Sequence, residues 1–387
     1  MKDVMDSRVT GERLRAPGDR PVARRRVAVL GALLPLGFLL QMLAARAPAT
    51  TETLYSRGVF PVLHGAVAAF AGLVPFSVGE TMLAALAAFW FVSVARGLGR
   101  WRAGDRSLPN LAAHAGAKLL ATTGFLYAFF LGVWGLNYAR LPFAESAGLD
   151  VRPATVSELG AVARALVEQT NALRAGVVED QDGVMRLRAG KAGALAELAD
   201  AFERVSAEYP FLRGRPPVPR LPLLSPAMTA LGITGIFWPF TGEPHVNGEI
   251  PDASFPFHAC HEVAHQRGFA REDEANFIAY RACAVSGDPD LRYAGTLAAL
   301  RYALSALRRI DGSRARALEE RLDPGVQRDI EQIERFWRPK TATMHVVRTF
   351  SVSVNNAYLK TQGQRDGTQS YGRMVDLLIA DYRASGL

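Results

Sequence analysis

The stretch HACHEVAHQRGFAREDEANFIAY (258–280) decides how the chain is read. It predicts two helices, Phe257–Arg267 and Glu272–Ser286, joined by a short turn. His261 and His265 stand four residues apart, share one helical face, and can both bind one metal ion. Glu262 lies one step round, where it reaches a water on that metal rather than the metal itself. Gly268 follows His265 by three and ends the first helix in a left-handed conformation. So short a turn brings an early acid of the second helix close to the histidine face.

A catalytic zinc takes three protein ligands and keeps one open position, and two histidines with a glutamate are an established set. A third histidine of the metzincin pattern would fall at position 271, which is Arg271, and this disfavours that class. Glu272 and Glu274 remain. Glu272 is preferred because it opens E-x-x-A-N-x-x-A, which resembles the E-x-x-A-[DN] ligand helix of glutamate-type zincins. Asp273 and Asn276 are expected to orient a ligand imidazole from behind.

His258 shares a face with His261 and is expected to line a pocket or face solvent. His245 lies in the turn-rich TGEPHVNG (241–248) and carries no assignment. Cys260 points about 100° away from His261 and Cys283 lies about three turns beyond Glu272, so neither is a zinc ligand. Both read as buried free thiols, with a disulfide between them the other option. Two cysteines in 387 residues exclude a disulfide scaffold. Between Pro210 and Pro256 lie ten of the 22 prolines, so that stretch is irregular. Within it, GITGIFWPF (232–240) reads as a strand, either lying beside the metal to hold an extended peptide or covering the core. Further helices are expected at Thr155–Gly176, Ala194–Ala207, Leu291–Arg309, Pro324–Trp337 and Ser370–Ser385.

Upstream the composition changes. Residues 1–137 hold 15 basic and 7 acidic side chains, while the rest hold 30 of each, so the whole net charge of +8 lies with the apolar runs. That argues against a nucleic-acid surface and for a membrane protein with cytoplasmic arginines. Spans of about 20 residues are expected at 27–45, 78–95 and 119–139. The run 27–45 is longer than a signal-peptide core and is read as an uncleaved span. Arg24, Arg25 and Arg26 precede the first span, and Arg96, Arg100, Arg102, Arg106 and Lys118 separate the second from the third. The positive-inside rule puts both groups in the cytoplasm. Residues 1–26 then form a disordered basic cytoplasmic tail, 27–139 the membrane region, and 140–387 an extracytoplasmic domain. Residues 58–74, bounded by Pro61 and Pro75, are read as interfacial or packed on the spans. Trp134, Asn137 and Tyr138 are read as an interfacial anchor.

In order along the chain, TLYSRGVFPVLHGAVAAFAGLVPFSVGE (53–80), WGLNYAR (134–140), TGIFWPFTGEPHVNG (234–248), HEVAHQRGFAREDEANFIAY (261–280) and YLKTQGQRDGTQSYGRMVDLL (358–378) resemble the bacterial domain-of-unknown-function 3810 family. The resemblance implies a multi-pass location in the cytoplasmic (inner) membrane and a zinc-peptidase type of domain, and it implicates His261, Glu262, His265 and the acids 272–274. The expected fold is mainly α: three transmembrane helices, then an α-rich, zincin-like metallopeptidase domain with a small strand element. The expected cofactor is Zn²⁺, and the partners are the bilayer and a peptide or protein substrate, not nucleic acid. The expected activity is zinc-dependent hydrolysis, held by His261, His265 and Glu272, with Glu262 as general base. Tyr293, Tyr302, Tyr358 and Tyr371 are candidate oxyanion donors. The alternative is a non-catalytic envelope protein whose metal staples two helices.

Overall fold

The computed structural model describes residues 21–104, 107–216, 219–339, 342–361 and 373–386. Arg106, Tyr371 and most of the expected tail, residues 1–20, lie outside the described residues, as does the side chain of Tyr358. The protein is mainly helical, and among the described residues the strands form two short hairpins.

Among the described residues, three helices are long and apolar enough to cross a membrane: Ala28–Arg46, Val78–Arg102 and Leu108–Val133. Only 6% of the most apolar window of Val78–Arg102 is buried, and Leu36, Phe38, Phe89 and Phe91 are exposed, as lipid-facing residues would be. The first helix begins at Pro21, so residues 21–26 of the expected tail are helical. The third ends at Val133 rather than 139, and Gly135–Ala139 forms a 3-10 turn.

The chain divides into two compact units, residues 1–39 with 91–129, and residues 40–90 with 130–387. The second unit therefore includes a stretch that the sequence assigns to the membrane region. In the first unit, Gly124 lets two helices meet, because a Cβ there would overlap the Leu30 carbonyl.

The second unit is built round one core. Helix Val156–Arg174 starts with a capping box, in which Thr155 accepts from the Glu158 N–H and Glu158 accepts from the Thr155 N–H. It packs along Pro289–Ile310, whose apolar face holds Leu297, Leu300 and Leu304. Phe143 is fully buried, with the rings of Tyr209, Phe211, Phe269 and Phe277 at 5.2 to 5.7 Å. Helices Phe255–Gln266 and Glu272–Ala284 pack against each other and against this layer. Helices at Gly312–Glu319 and Ala342–Thr361 also occur where none was expected.

The strand is shorter than read, Gly235–Trp238, and pairs antiparallel with Glu243–Val246, with Ile236 opposite His245. Within the segment read as turn-rich, 243–246 is thus a strand with turns on both sides of it, and Gly242 before it has φ +69°.

A helical run precedes Phe60–Gly72 and includes a nine-residue π-helix, Thr51–Val59. Phe60 and His64 turn inward, stacked at 5.0 Å, and the His64 ring meets Phe237 edge-on. Glu52 is buried and pairs with Arg140 at 2.8 Å. Trp134 and Asn137 are buried rather than interfacial, because the chain turns into the core beyond Val133.

Candidate metal centre

Both helices of the motif form as the spacing requires. His261, Glu262 and His265 lie on Phe255–Gln266, and Glu272 opens the next helix. Phe269 N–H donates to the Ala264 carbonyl across the turn, and Gly268 takes φ +83°. A Cβ at Gly268 would press on Phe60 and Asn137, so that residue is fixed by packing as well as by its backbone.

Ligand atoms of His261, His265 and Glu272 all lie within 4.8 Å of one another. The two Nε2 atoms are 3.0 Å apart, and Glu272 oxygens lie 3.2 Å from His261 Nε2 and 3.8 Å from His265 Nε2. Ligand bonds of 2.0–2.1 Å at tetrahedral angles separate donors by about 3.3 Å, so these three fit round one zinc ion. His265 Nδ1 lies 2.7 Å from the Phe269 carbonyl, which fixes that nitrogen as the donor and leaves Nε2 to face the cluster. The Phe269 carbonyl therefore does what was expected of Asp273 and Asn276. Asn276 is buried near Tyr302 instead, with its Nδ2 unpartnered among the described residues.

Glu274 faces elsewhere. Its Oε1 accepts from Phe143 N–H at 2.8 Å and from Arg271 at 2.9 Å, tying the start of the domain to this helix. Of the two acids the sequence left open, Glu272 alone joins the cluster.

Glu262 is buried beside it, with Oε2 lacking any hydrogen-bond partner among the described residues. Burial, reinforced by the charge of Glu272, pushes its pKa up to about 7 against the opposing histidine charges and the Phe237 N–H. Gly235 makes this position available, because a Cβ there would lie 2.8 Å from the Glu262 carboxyl carbon. Burial lowers His265, but the charge and hydrogen bond of Glu272 outweigh it, and its pKa rises to about 9. Glu272 is held well below the usual carboxylate range, since the two histidines outweigh its burial.

Behind the site, Trp134 Nε1 donates to the His265 carbonyl at 2.9 Å. Trp134 was legible in the sequence only as an aromatic at a span end. Tyr302 is half-buried near Glu272, whereas Tyr293 points away and bonds to Asp329 in the core. Tyr302 and His258 line a cavity of about 270 Å³ with Arg301 and Phe257. Burial and the neighbouring His261 and Arg301 charges lower His258 to about 3, so it is neutral. His245 is buried on its strand, 2.7 Å from Ser77 Oγ. Cys260 and Cys283 are free buried thiols with sulfurs 3.5 Å apart.

A family model described as protein of unknown function (DUF3810) matches residues 55–379. The chain belongs to that family. No curated protein and no solved structure matches it. The match includes the Phe60–Gly72 helix, both long helices that follow, the hairpin and the His261–Glu272 cluster, so this family's sequence pattern runs through both units.

Proposed function

We propose that this DUF3810 protein is a membrane-anchored, zinc-dependent hydrolase, most simply a peptidase, whose catalytic domain lies outside the cytoplasm. One observation carries the reading: three donors of a hydrolytic zinc set converge beside a buried glutamate with a partnerless oxygen.

His261, His265 and Glu272 would hold the ion. When bound there, zinc supplies a Lewis acid that polarises a carbonyl and lowers the pKa of a water towards about 7. Glu262 accepts the proton of the attacking water and returns it to the leaving amine. Burial raises that carboxyl, and the charge of an ion held beside it would draw it down again, so the group would be ionised to accept the proton. The Phe269 carbonyl keeps His265 in the tautomer that a ligand needs. Tyr302 is the oxyanion donor favoured among the four tyrosines, because it alone of those described adjoins Glu272. A purely structural metal is normally closed by a fourth protein ligand, and the cluster found among the described residues has three.

The test is metal content of the full-length protein in detergent, with a peptide-hydrolysis screen. Wild type, Glu262→Gln and Glu274→Ala should each carry one zinc, and Glu272→Ala should carry none. Hydrolysis should fall by 10²–10⁴-fold in Glu262→Gln. A folded wild type that binds no zinc, or full activity in Glu262→Gln, would sink the proposal.

A further inference from the structure

The largest cavity among those described, about 1020 Å³, is separate from the metal cluster. One wall is the apolar side of Phe60–Gly72, with Pro61, Gly65, Ala68 and Ala69, and Leu73 at its end. The opposite wall comes from the loop after Leu212 and the end of the motif helix. It brings Arg213, Arg215 and Arg267 into the same space.

The charges there do not balance. Arg57 has Glu52 at 2.8 Å, and Arg220 has Glu243 at 3.5 Å and donates to the Ala71 and Val74 carbonyls. Arg213, Arg215 and Arg267 have no ion pair among the described residues, and Glu243, the one acid lining the cavity, is already shared. Glu243 also accepts from Thr241 and from the Val78 and Gly79 N–H groups. Arg267 Nε is buried without an acceptor, and the guanidinium lies against Gly214, which has no side chain to displace it. Arg267 is half-buried against the Phe202 ring at 5.6 Å, and Arg213 and Arg215 stand exposed at the cavity mouth; three guanidinium groups with no carboxylate of their own suit this cavity to an anion.

Position and wall chemistry say which anion. Leu73 stands five residues before Val78, where a membrane-crossing helix starts, and Glu243 binds the first N–H groups of that helix. The cavity therefore sits at the depth where a span enters the bilayer. It joins an apolar wall to guanidinium groups, as an amphiphile with a phosphate requires. We propose that the cavity binds an anionic phospholipid, its phosphate on Arg213, Arg215 and Arg267 and its upper chains along Phe60–Gly72. The site needs no metal and is independent of the hydrolase reading.

The full chain, delipidated in neutral detergent, would be titrated with phosphatidylglycerol or chain-matched phosphatidylcholine and read by native mass spectrometry. Wild type should hold a discrete phosphatidylglycerol adduct at least tenfold tighter than phosphatidylcholine. Arg213→Gln with Arg215→Gln, both on an exposed loop, should lose at least tenfold while keeping the wild-type melting midpoint; Arg267→Gln should lose as much. Equal phosphatidylglycerol affinity in wild type and the double variant would overturn the proposal. So would glycerol 1-phosphate binding as tightly as the lipid, which would give the cavity to a soluble phosphate.

Discussion

Glu262 and Gly235 work as a pair, since the carboxylate occupies the space that any other residue at 235 would fill. Gly235→Ala should therefore push the carboxylate aside without touching a zinc ligand. The expected result is one zinc per chain, a stability loss of about 1–3 kcal/mol from overpacking, and hydrolysis down by about a hundredfold. Unchanged turnover in that variant would separate Glu262 from the chemistry. At this scale the sequence shows what spacing along one helix controls. His261 and His265 are legible because four residues make one turn, and Glu272 because the turn after Gly268 is short. The Phe269 carbonyl, Gly235 and Trp134 are not legible, because their roles arise from where a turn, a strand and a distant chain segment meet the helix. His245 escaped for the same reason: only its pairing opposite Ile236 removes it from solvent.

Among the elements, the π-helix Thr51–Val59 ties upstream chain to the core through one buried carboxylate. Glu52 bonds twice to the Arg140 guanidinium and once to Arg57, while Arg140 also donates to the Gly268 carbonyl and lies over the Phe269 ring at 3.9 Å. Residues 268 and 269 belong to the turn between the histidine helix and the glutamate helix, so this pair braces the candidate metal site from behind. Burial raises the Glu52 pKa, but Arg140 and then Arg57 outweigh it and hold the group below its ordinary 4.5. A depressed carboxylate contributes stability that is fully present above 4.5 and is lost as pH falls through the lower folded value. Glu52→Gln leaves Arg140 buried without its acid, which should cost about 3 kcal/mol at neutral pH. The gap in melting midpoint between wild type and variant should be largest at pH 7 and shrink steadily below pH 4.5. A gap that is constant with pH would mean that the pair is not what stabilises the turn. Periodicity finds the long amphipathic helices but misses this run, because a buried charge looks like a solvated one until its partner, 88 residues away, is in place.

For the whole molecule, the decisive matter is how many times the chain crosses the membrane before Arg140. Phe60–Gly72 alone has 13 residues, about 20 Å of helix against a hydrocarbon core of about 30 Å, and the helical run that leads into it carries Glu52 and Arg57, charges a hydrocarbon core disfavours. Its inner side is engaged by the hairpin and by Arg220, and the turn before it is ion-paired to Arg140. These contacts favour a helix lying on its own unit over a fourth span. With three spans, Arg96, Arg100 and Arg102 belong to the cytoplasmic end of the second, and everything after the third lies outside, by the positive-inside rule. A fourth span would reverse this and place the metal cluster in the cytoplasm. Fusions to the C-terminus in a Gram-negative host distinguish the two arrangements, since alkaline phosphatase matures only where disulfides form. An active phosphatase fusion with a dark cytoplasmic fluorescent-protein fusion is the expected outcome. The opposite pair would make Phe60–Gly72 part of a spanning segment and put the peptide substrate among cytoplasmic proteins.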